Sequence, residues 1–255
     1  GATLDPVTGE LTWDTRKDSA LNTFVSWSNT GFIRTPVNES LQSQSITVEG
    51  SFNWTVLPAG NGAEFLFSRA NNSGFAYGLS NRFNNALRFE AHTDSGYQFY
   101  DFPFSFDADR WYHFAISIDD TTNEVTVYAD GQLLFTRPLP GSIAYSNRNP
   151  AIHDNFFQFQ GATDNYRIWN TARDAEQIRE GLTTQYESEP SLVLDYRFGE
   201  EDEVTVRDYS GNENHGYRGT NRNPPGAANG LVDVGRQDFT ISVEDGRGGF
   251  DIQTF

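Results

Sequence analysis

Pairs of acidic residues are the feature of this chain that most directly suggests catalysis. Glu201 and Glu203 lie two residues apart, as do Asp107 and Asp109. Two carboxyl groups on one face of a strand can act as general acid and nucleophile in glycoside hydrolysis. Neither pair has the alternating apolar neighbours of a strand, because the glutamates lie in the run GEEDE and the aspartates lie in a turn before Trp111. We therefore interpret both pairs as parts of solvated loops.

Other catalytic motifs are missing from the sequence. It contains no nucleophile elbow, zinc-protease helix or phosphate-binding loop. Cysteine is absent, which excludes thiol chemistry and disulfides. Four histidines are scattered without the spacing of zinc ligands: His92, His113, His153 and His215. We expect no enzymatic activity, and we expect His113 to lie on a strand face.

Aromatic side chains in loops are a second type of functional residue. Ring faces stack on sugars, while polar neighbours bind hydroxyl groups. The predicted ligand-binding residues are Tyr97, Tyr100, Tyr145 and Asn147. Further aromatic candidates are Phe75, Tyr77 and Phe99. Strand patterns instead predict a packing role for Trp54, Trp111 and Trp169.

The balance of charge limits the partners of this chain. Its 255 residues include 35 acidic and 18 basic side chains, a formal net charge of −17. Such a surface disfavours nucleic acid and anionic membranes, and no apolar run is long enough to insert into a membrane. The acidic excess is typical of a solvated surface in a salty or extracellular setting. Alternatively, some of the carboxylates bind Ca²⁺, which prefers oxygen ligands.

Length and residue types favour one large β domain or two smaller ones. Aromatic residues make up 15% of the chain, with 21 Phe and 11 Tyr, which favours strands. Segment 45–54 places apolar residues on one face, and segments 110–118, 124–129 and 132–136 are joined by the turns DDTTN and DG. Such spacing predicts an antiparallel β-sandwich. Because methionine is absent, we expect the chain to be a fragment of a longer protein.

The stretch 161–182 changes from a strand pattern to a helix pattern. The apolar stripe of the short helix would consist of Ala175, Ile178 and Leu182. We predict that Asn170 and Thr171 cap the start of this helix, and that Gly181 marks its end. The helix is expected to cover one end of the sandwich.

The two ends of the chain carry related patterns. Residues 1–13 read GATLDPVTGELTW and residues 239–255 read FTISVEDGRGGFDIQTF. Joined, they resemble the second half of the cadherin-like, immunoglobulin-like repeats of large bacterial surface proteins. The resemblance implies an incomplete host domain, split into 1–15 and 230–255, with an inserted domain at 16–229. Insertion is tolerated at a loop tip, where the two ends of the insert lie close together.

Four runs of the insert follow one another in a characteristic order: ITVEGSFNW, DRWYHFAISI, VTVYADGQ and TDNYRIWNTARDAEQI. The runs LVLDYRF and DYSGNENHG come after them. Together they resemble the laminin-G-like, concanavalin A-like jelly roll and its pentraxin relatives. The resemblance implies an all-β, concanavalin A-like antiparallel β-sandwich with one short helix, beside partial strands of the immunoglobulin-like split domain.

The pentraxin resemblance implies calcium ligands in two loops. In pentraxins, calcium lies on one sheet and is bound by an Asp-Asn pair in an early turn and by an acidic loop before the strand that leads to the helix. By order along the chain, these positions correspond to Asn71 and Asn72, and to Asp154 and Asn155. Because Asn72 stands where a carboxylate would help, we expect weaker calcium binding. The alternative is that segment 71–74 is an ordinary turn.

A second calcium site would combine Asp164 with Asp208 and Asn212. In laminin-G-like folds the first and last strands lie near each other, so these residues are expected to meet around a structural ion. The alternative is that Asp208 and Ser210 only hydrogen-bond within their own turn.

The sequence therefore predicts a non-catalytic, calcium-dependent, carbohydrate-binding module of an extracellular bacterial adhesin, with calcium as its cofactor. Its partners would be glycans or cell-surface polysaccharide and adjacent repeats of the same polypeptide, without nucleic acid or direct membrane insertion. One alternative is a structural spacer of the adhesin that holds structural calcium only. A second alternative is a relative of glycoside hydrolases or lyases.

Overall fold

A computed structural model describes most of the chain. It covers residues 2–4, 11–13, 25–28, 31–57, 63–71, 74–82, 85–153, 159–198, 205–220, 240–244 and 250–254. In chain order the strands are β1 (Ala2–Leu4), β2 (Leu11–Trp13), β3 (Val25–Ser28), β4 (Gly31–Arg34), β5 (Ile46–Trp54), β6 (Ala63–Asn71), β7 (Gly74–Arg82), β8 (Ala86–Thr93), β9 (Gly96–Pro103), β10 (Trp111–Asp119), β11 (Glu124–Ala129), β12 (Gln132–Pro138), β13 (Pro150–Ile152), β14 (Gln160–Trp169), β15 (Leu192–Tyr196), β16 (Thr205–Val206), β17 (Gly216–Thr220), β18 (Thr240–Glu244) and β19 (Phe250–Thr254). A short 3-10 helix spans Glu39–Leu41, and the helix α1 spans Ala175–Gly181.

The chain divides into two compact units. Both chain ends, Gly1–Thr23 and Asp233–Phe255, form one unit, and Phe24–Val232 forms the other. Within the first unit β1 pairs with β2, and β18 pairs with β19, each as an antiparallel hairpin. The assignment of this unit to a split immunoglobulin-like host, at 1–15 and 230–255, stays a prediction.

The second unit consists of two antiparallel sheets. One has seven strands in the order β12-β11-β10-β5-β14-β15, with β3 also paired to β14. The other has eight strands in the order β16-β17-β4-β13-β6-β7-β8-β9. We call the face of each sheet that points to the other sheet its inner face, and the opposite face its outer face. This architecture confirms the predicted all-β antiparallel jelly-roll sandwich with one short helix.

Alternating side chains build the core between the sheets. In β10, Phe114 and Ile116 belong to the main apolar cluster, whereas Ala115 between them packs elsewhere. Alternation follows from the strand itself, because successive side chains point to opposite faces. Trp54 is fully buried and Trp169 is 1% exposed, as their strand patterns predicted. Trp111 is only half-buried.

The helix α1 begins one turn later than the sequence pattern indicated. Its cap is Asp174, whose carboxylate accepts hydrogen bonds from the backbone of Glu176 and Gln177, while the Gln177 side chain accepts from the Asp174 backbone. The prediction of Asn170 and Thr171 as caps was therefore wrong. Asp174 prevails because its carboxylate and Gln177, three residues later, form a reciprocal capping box.

The helix packs on the outer face of the seven-stranded sheet. Ile178 is fully buried in a small cluster with Ala115, Tyr128 and Ala175. Since Ala115 and Tyr128 alternate with core residues of β10 and β11, this cluster lies outside the sandwich. The expectation that α1 covers one end of the sandwich was wrong, whereas its end at Gly181 is confirmed.

No helix in the ranges described above has both the length and the apolar character needed to cross a membrane.

Candidate functional site

The outer face of the hairpin formed by β8 and β9 carries an exposed aromatic pair. Tyr97 is 45% and Phe99 is 49% exposed, and both alternate with residues that pack against the core. Their rings are nearly parallel, inclined by 28° with centroids 5.7 Å apart. We call this outer face the β8–β9 surface, and it is formed by Arg88, Glu90, His92, Tyr97, Phe99 and Asp101.

Cross-strand register places a polar partner beside each ring of the β8–β9 surface. His92 lies opposite Tyr97, Glu90 lies opposite Phe99, and Arg88 lies opposite Asp101. These pairs follow from the short turn at Asp94–Ser95, since a short antiparallel connection leaves little freedom of register. Polar groups and apolar rings are thereby interleaved on one side of the sheet.

Arg88 and Asp101 form a bidentate ion pair at one end of this surface. The Arg88 Nε and Nη2 atoms donate to the two carboxylate oxygens at 2.6 Å each. The guanidinium also lies 4.6 Å from the centroid of the Phe99 ring. The hydrogen bonds from Arg88 lower the pKa of the Asp101 carboxyl. Phe99 is consequently held in place by a fixed, planar cation.

Tyr97 is fixed at the other end. Its hydroxyl donates to Glu90 Oε2 at 2.6 Å, and partial burial together with Glu90 raises the pKa of Tyr97 to about 12. The His92 ring lies 4.8 Å from the Tyr97 ring, and His92 Nδ1 lies 3.0 Å from the Phe75 carbonyl oxygen. Because a carbonyl only accepts, Nδ1 carries a proton, and in neutral His92 Nε2 remains an acceptor.

This arrangement suits the recognition of a polar ring compound. The exposed parts of Tyr97 and Phe99 offer apolar contact to C–H groups, and the exposed carboxylate of Asp101 can accept hydrogen bonds from hydroxyl groups. Little side-chain entropy would be lost on binding, since these side chains are already ordered by their neighbours.

Tyr100 does not contribute to the β8–β9 surface. It lies three residues from Tyr97 and therefore points to the opposite face of β9. There it packs against the core, and its hydroxyl donates to the Pro138 carbonyl at 2.7 Å. The predicted ligand residues Tyr97 and Tyr100 are thus on opposite sides of the sheet, and Phe99 lies beside Tyr97 instead.

Tyr145 and Asn147 lie in the loop that precedes β13. The Tyr145 hydroxyl donates to the Ser43 carbonyl, and its ring packs against Arg69 and Tyr77. Tyr145 therefore holds the loop against the sandwich, whereas Asn147 is exposed. Their predicted role in ligand binding stays a prediction.

The first predicted calcium site cannot be built from the described residues. Asn72, Asp154 and Asn155 lie outside them, and only the backbone of Asn71 is described, at the end of β6. These ligands stay a prediction.

The second predicted calcium site includes a carboxylate that the protein itself already occupies. Asp208 Oδ1 accepts from the backbone N–H groups of Asp195 and Ser210. Its Oδ2 accepts from the Ser210 hydroxyl and the Asn214 N–H. The turn interaction between Asp208 and Ser210, predicted as the alternative, is confirmed. Because these donors fill the oxygen lone pairs, an ion at Asp208 would have to displace them.

Asp164 and Asn212 also have partners within the protein. Asp164 is 7% exposed and accepts from the backbone and side-chain N–H groups of Asn165. Burial raises the pKa of Asp164 well above its usual range. The side chain of Asn212 donates to the Leu192 carbonyl. Within the described ranges no group of three or more His, Cys, Asp or Glu residues could hold a metal ion.

Of the two acidic pairs, only Asp107 and Asp109 lie within the described residues. Asp107 and Asp109 are exposed in the turn before β10, as expected. Asp107 accepts a hydrogen bond from the Tyr112 hydroxyl. Glu201 and Glu203 lie outside the described residues.

Buried polar residues beneath α1 and the following loop were not anticipated from the sequence. Glu49 is fully buried and accepts from Trp169 Nε1 at 2.8 Å and from Arg173 Nη1 at 3.3 Å. Nearby, Asp195 forms ion pairs with Arg167 and Arg197 at 3.1 and 2.8 Å. The sequence did contain one signal of these buried ion pairs, which is the charged residue Glu49 within the largely apolar strand β5. These ion pairs fasten the helical segment to the sheet.

Fold and surface geometry together define a two-sheet jelly-roll sandwich of the lectin-like type. Residues 28–179 match the profile of the Concanavalin A-like lectin/glucanases superfamily, in its Laminin_G_3 family. The match covers more than half of the chain, which therefore belongs to this superfamily. This confirms the resemblance of the insert, but not that of the chain ends. A search of curated proteins returned no match.

Solved structures with the same fold include several sugar-related proteins. A proposed carbohydrate-binding protein from Bacteroides ovatus is 16% identical with a TM-score of 0.60, and the alignment covers 81% of this chain and 62% of that one. This chain therefore spans less than two thirds of that protein. The CBM40 module of the Ruminococcus gnavus IT-sialidase, bound to α2,3-sialyllactose, is 14% identical with a TM-score of 0.50, covering 62% and 95% of the two chains. A leech intramolecular trans-sialidase is 17% identical with a TM-score of 0.51, covering 71% and 30%. At these identities the similarity establishes the fold alone.

Proposed function

We propose that this chain binds carbohydrate without transforming it, through the β8–β9 surface. The observation that carries the proposal is the exposed pair of Tyr97 and Phe99, held in register on an outer sheet face and bordered by carboxylates. Two structures of the same fold support it, since one is of a proposed carbohydrate-binding protein and the other of a module bound to sialyllactose.

The charges of the β8–β9 surface favour neutral sugars over acidic ones. Arg88 is already paired with Asp101, and Glu90 adds a second carboxylate. The chain as a whole carries a formal charge of −17, which repels anionic ligands. We therefore expect neutral hexoses, whose hydroxyl groups donate to the remaining lone pairs of Asp101, 45% exposed, while a ring face contacts Phe99 or Tyr97.

A glycan array with the full chain tests this function. We expect binding to neutral glycans, and Tyr97→Ala and Phe99→Ala should each weaken it by on the order of tenfold or more, as loss of a ring contact predicts. The matched control is Leu133→Ala, which removes a 57% exposed apolar side chain from the other sheet. Equal loss in the control would show that the β8–β9 surface is not the site.

Two other outcomes would change the functional assignment. Preference for sialylated over neutral glycans would contradict the charge argument while leaving carbohydrate binding intact. No binding to any glycan, with calcium present, would favour the structural spacer. Release of free sugar from a bound glycan would show that the chain is an enzyme.

Calcium dependence, an extracellular location and a place in an adhesin are further parts of the proposal. The proposed ligands are those predicted above in the loops at 71–72 and 154–155. Melting in calcium against chelator tests this part, with Asp154→Ala compared to Asp109→Ala, an exposed turn residue. A calcium-induced rise in melting temperature that Asp154→Ala abolishes is expected, and equal melting with calcium and chelator would remove calcium from the proposal.

A further inference from the structure

Arg69 is a fully buried cation that has no counter-charge among the described residues. It lies near the end of β6 and is 0% exposed. Its Nη1 atom donates to the Leu41 carbonyl, and the Tyr145 ring packs 4.8 Å from the guanidinium carbon. Its Nε and Nη2 atoms form no hydrogen bond of ordinary geometry within the described part of the chain. Three N–H groups of a charged side chain are therefore left without an acceptor.

Two other buried arginines, Arg167 and Arg173, each have a carboxylate partner. Arg167 is paired with Asp195 and Arg173 with Glu49, in each case with a carboxylate that is itself fully buried. Among the residues that the structure describes, no carboxylate forms an ion pair with Arg69. A buried charge without a partner is costly, and arginine cannot relieve the cost by losing its proton.

Two buried phenol groups accompany Arg69. Tyr77 lies opposite Arg69 in the β6–β7 pair, and the Tyr166 ring lies 6.2 Å from that of Phe67, two residues before Arg69 in β6. Both hydroxyls are buried, and neither forms a hydrogen bond of ordinary geometry with the residues that the structure describes. Burial raises the pKa of both phenols. The Arg69 charge opposes this rise for both, and for Tyr77 a side-chain interaction between its hydroxyl and Arg69 does so as well, but neither reverses it. Both hydroxyls therefore stay protonated and can donate. We call Arg69, Tyr77 and Tyr166 the Arg69 cluster.

We propose that the Arg69 cluster binds a small inorganic anion, chloride, inside the sandwich. An anion would supply the missing negative charge and accept hydrogen bonds from the guanidinium and the two hydroxyls. A water molecule would satisfy some of these donors, but it would leave the charge uncompensated and its own hydrogens in need of acceptors. The anion would also stabilise the adjoining loop, because Tyr145 packs on Arg69.

Bromide soaking of crystals of the full chain gives a direct test, since bromide replaces chloride and scatters anomalously. We expect one anomalous peak between Arg69 Nε or Nη2 and the hydroxyls of Tyr77 and Tyr166. In solution, chloride should raise the melting temperature in a saturable manner relative to gluconate at equal ionic strength.

Variants separate a bound anion from a general salt effect. Arg69→Met should abolish the chloride dependence, while Tyr77→Phe and Tyr166→Phe, which keep the ring, should each shift the chloride midpoint by on the order of tenfold. The control is Tyr100→Phe, which loses a hydroxyl bound elsewhere and should keep the wild-type chloride response. Density at the cluster without anomalous signal, together with equal melting in chloride and gluconate, would mean ordered water and would overturn the proposal.

Discussion

Glu64 is expected to make the stability of this protein fall as the pH rises towards neutrality. It is 4% exposed, and its only described hydrogen bond comes from Trp54 Nε1 at 2.8 Å. Burial raises the pKa of Glu64 from 4.5 to about 7, although the Trp54 hydrogen bond opposes this shift. The unfolded chain therefore loses this proton at lower pH than the folded protein does.

The size of the effect follows from the difference between the two pKa values. Below pH 4.5 the group is protonated in both states, so the stability associated with it is fully present. Between pH 4.5 and about 7 the free energy of unfolding falls by about 1.4 kcal/mol per pH unit, or about 3 kcal/mol in all. Above that range the loss is complete.

The substitution Glu64→Gln removes this titration and keeps an oxygen acceptor for Trp54. Urea unfolding of both proteins is measured at half-unit steps from pH 4 to 8. In the difference between their unfolding free energies, the contributions of all other titrating groups cancel. That difference should rise in favour of Glu64→Gln across the window and then level off. Glu124→Gln, at an exposed position of β11, is the control. Parallel stability curves for wild type and Glu64→Gln would refute the reasoning.

Three further predictions concern single side chains. His153 is 1% exposed, and burial lowers its pKa from 6.5 to about 3. Below pH 6.5 the free energy of unfolding of the wild type should therefore fall by about 1.4 kcal/mol per pH unit relative to that of His153→Gln. A constant difference between the two unfolding free energies, measured with urea from pH 4.5 to 7.5, would contradict this. Asp174→Ala should cost about 1 kcal/mol by removing the helix cap, with faster amide exchange in α1, and unchanged exchange there would argue against the capping box. Asp195→Asn should cost about 3–5 kcal/mol, because it leaves the buried guanidinium of Arg167 and the partly exposed one of Arg197 with a neutral partner. A shift of the urea midpoint equivalent to less than about 1 kcal/mol would show that the ion pairs contribute little.

The sequence predicted the architecture because its strands are locally consistent. Within segment 45–54 every second residue from Ile46 was predicted to share one face, and Ile46, Val48, Phe52 and Trp54 belong to the main core. The order of the family runs also matches the order of the strands. The helix cap was missed because Asn170, Thr171 and Asp174 are all favourable caps. Only the pairing of Asp174 with Gln177 decides among them.

The candidate surface was predictable in part. Tyr97 was identified from its residue type, but its neighbours Arg88 and Glu90 belong to β8 and meet it only through cross-strand register. The separation of Tyr97 from Tyr100 by three residues already indicated opposite faces. The solitary charge of Arg69 could not be foreseen, because it depends on which long-range neighbours lack a carboxylate.

The strand β12 leaves an open backbone edge on the seven-stranded sheet, as the outermost strand of the described order. Leu133 and Leu134 are exposed there, 57% and 37%, and a bare apolar edge invites pairing with strands of other molecules. The same strand ends with Arg137, which carries a charge, and Pro138, which lacks a backbone N–H donor. We therefore expect intermolecular pairing to be favoured only at the first half of β12, and we expect Leu133→Lys to suppress aggregation of concentrated protein.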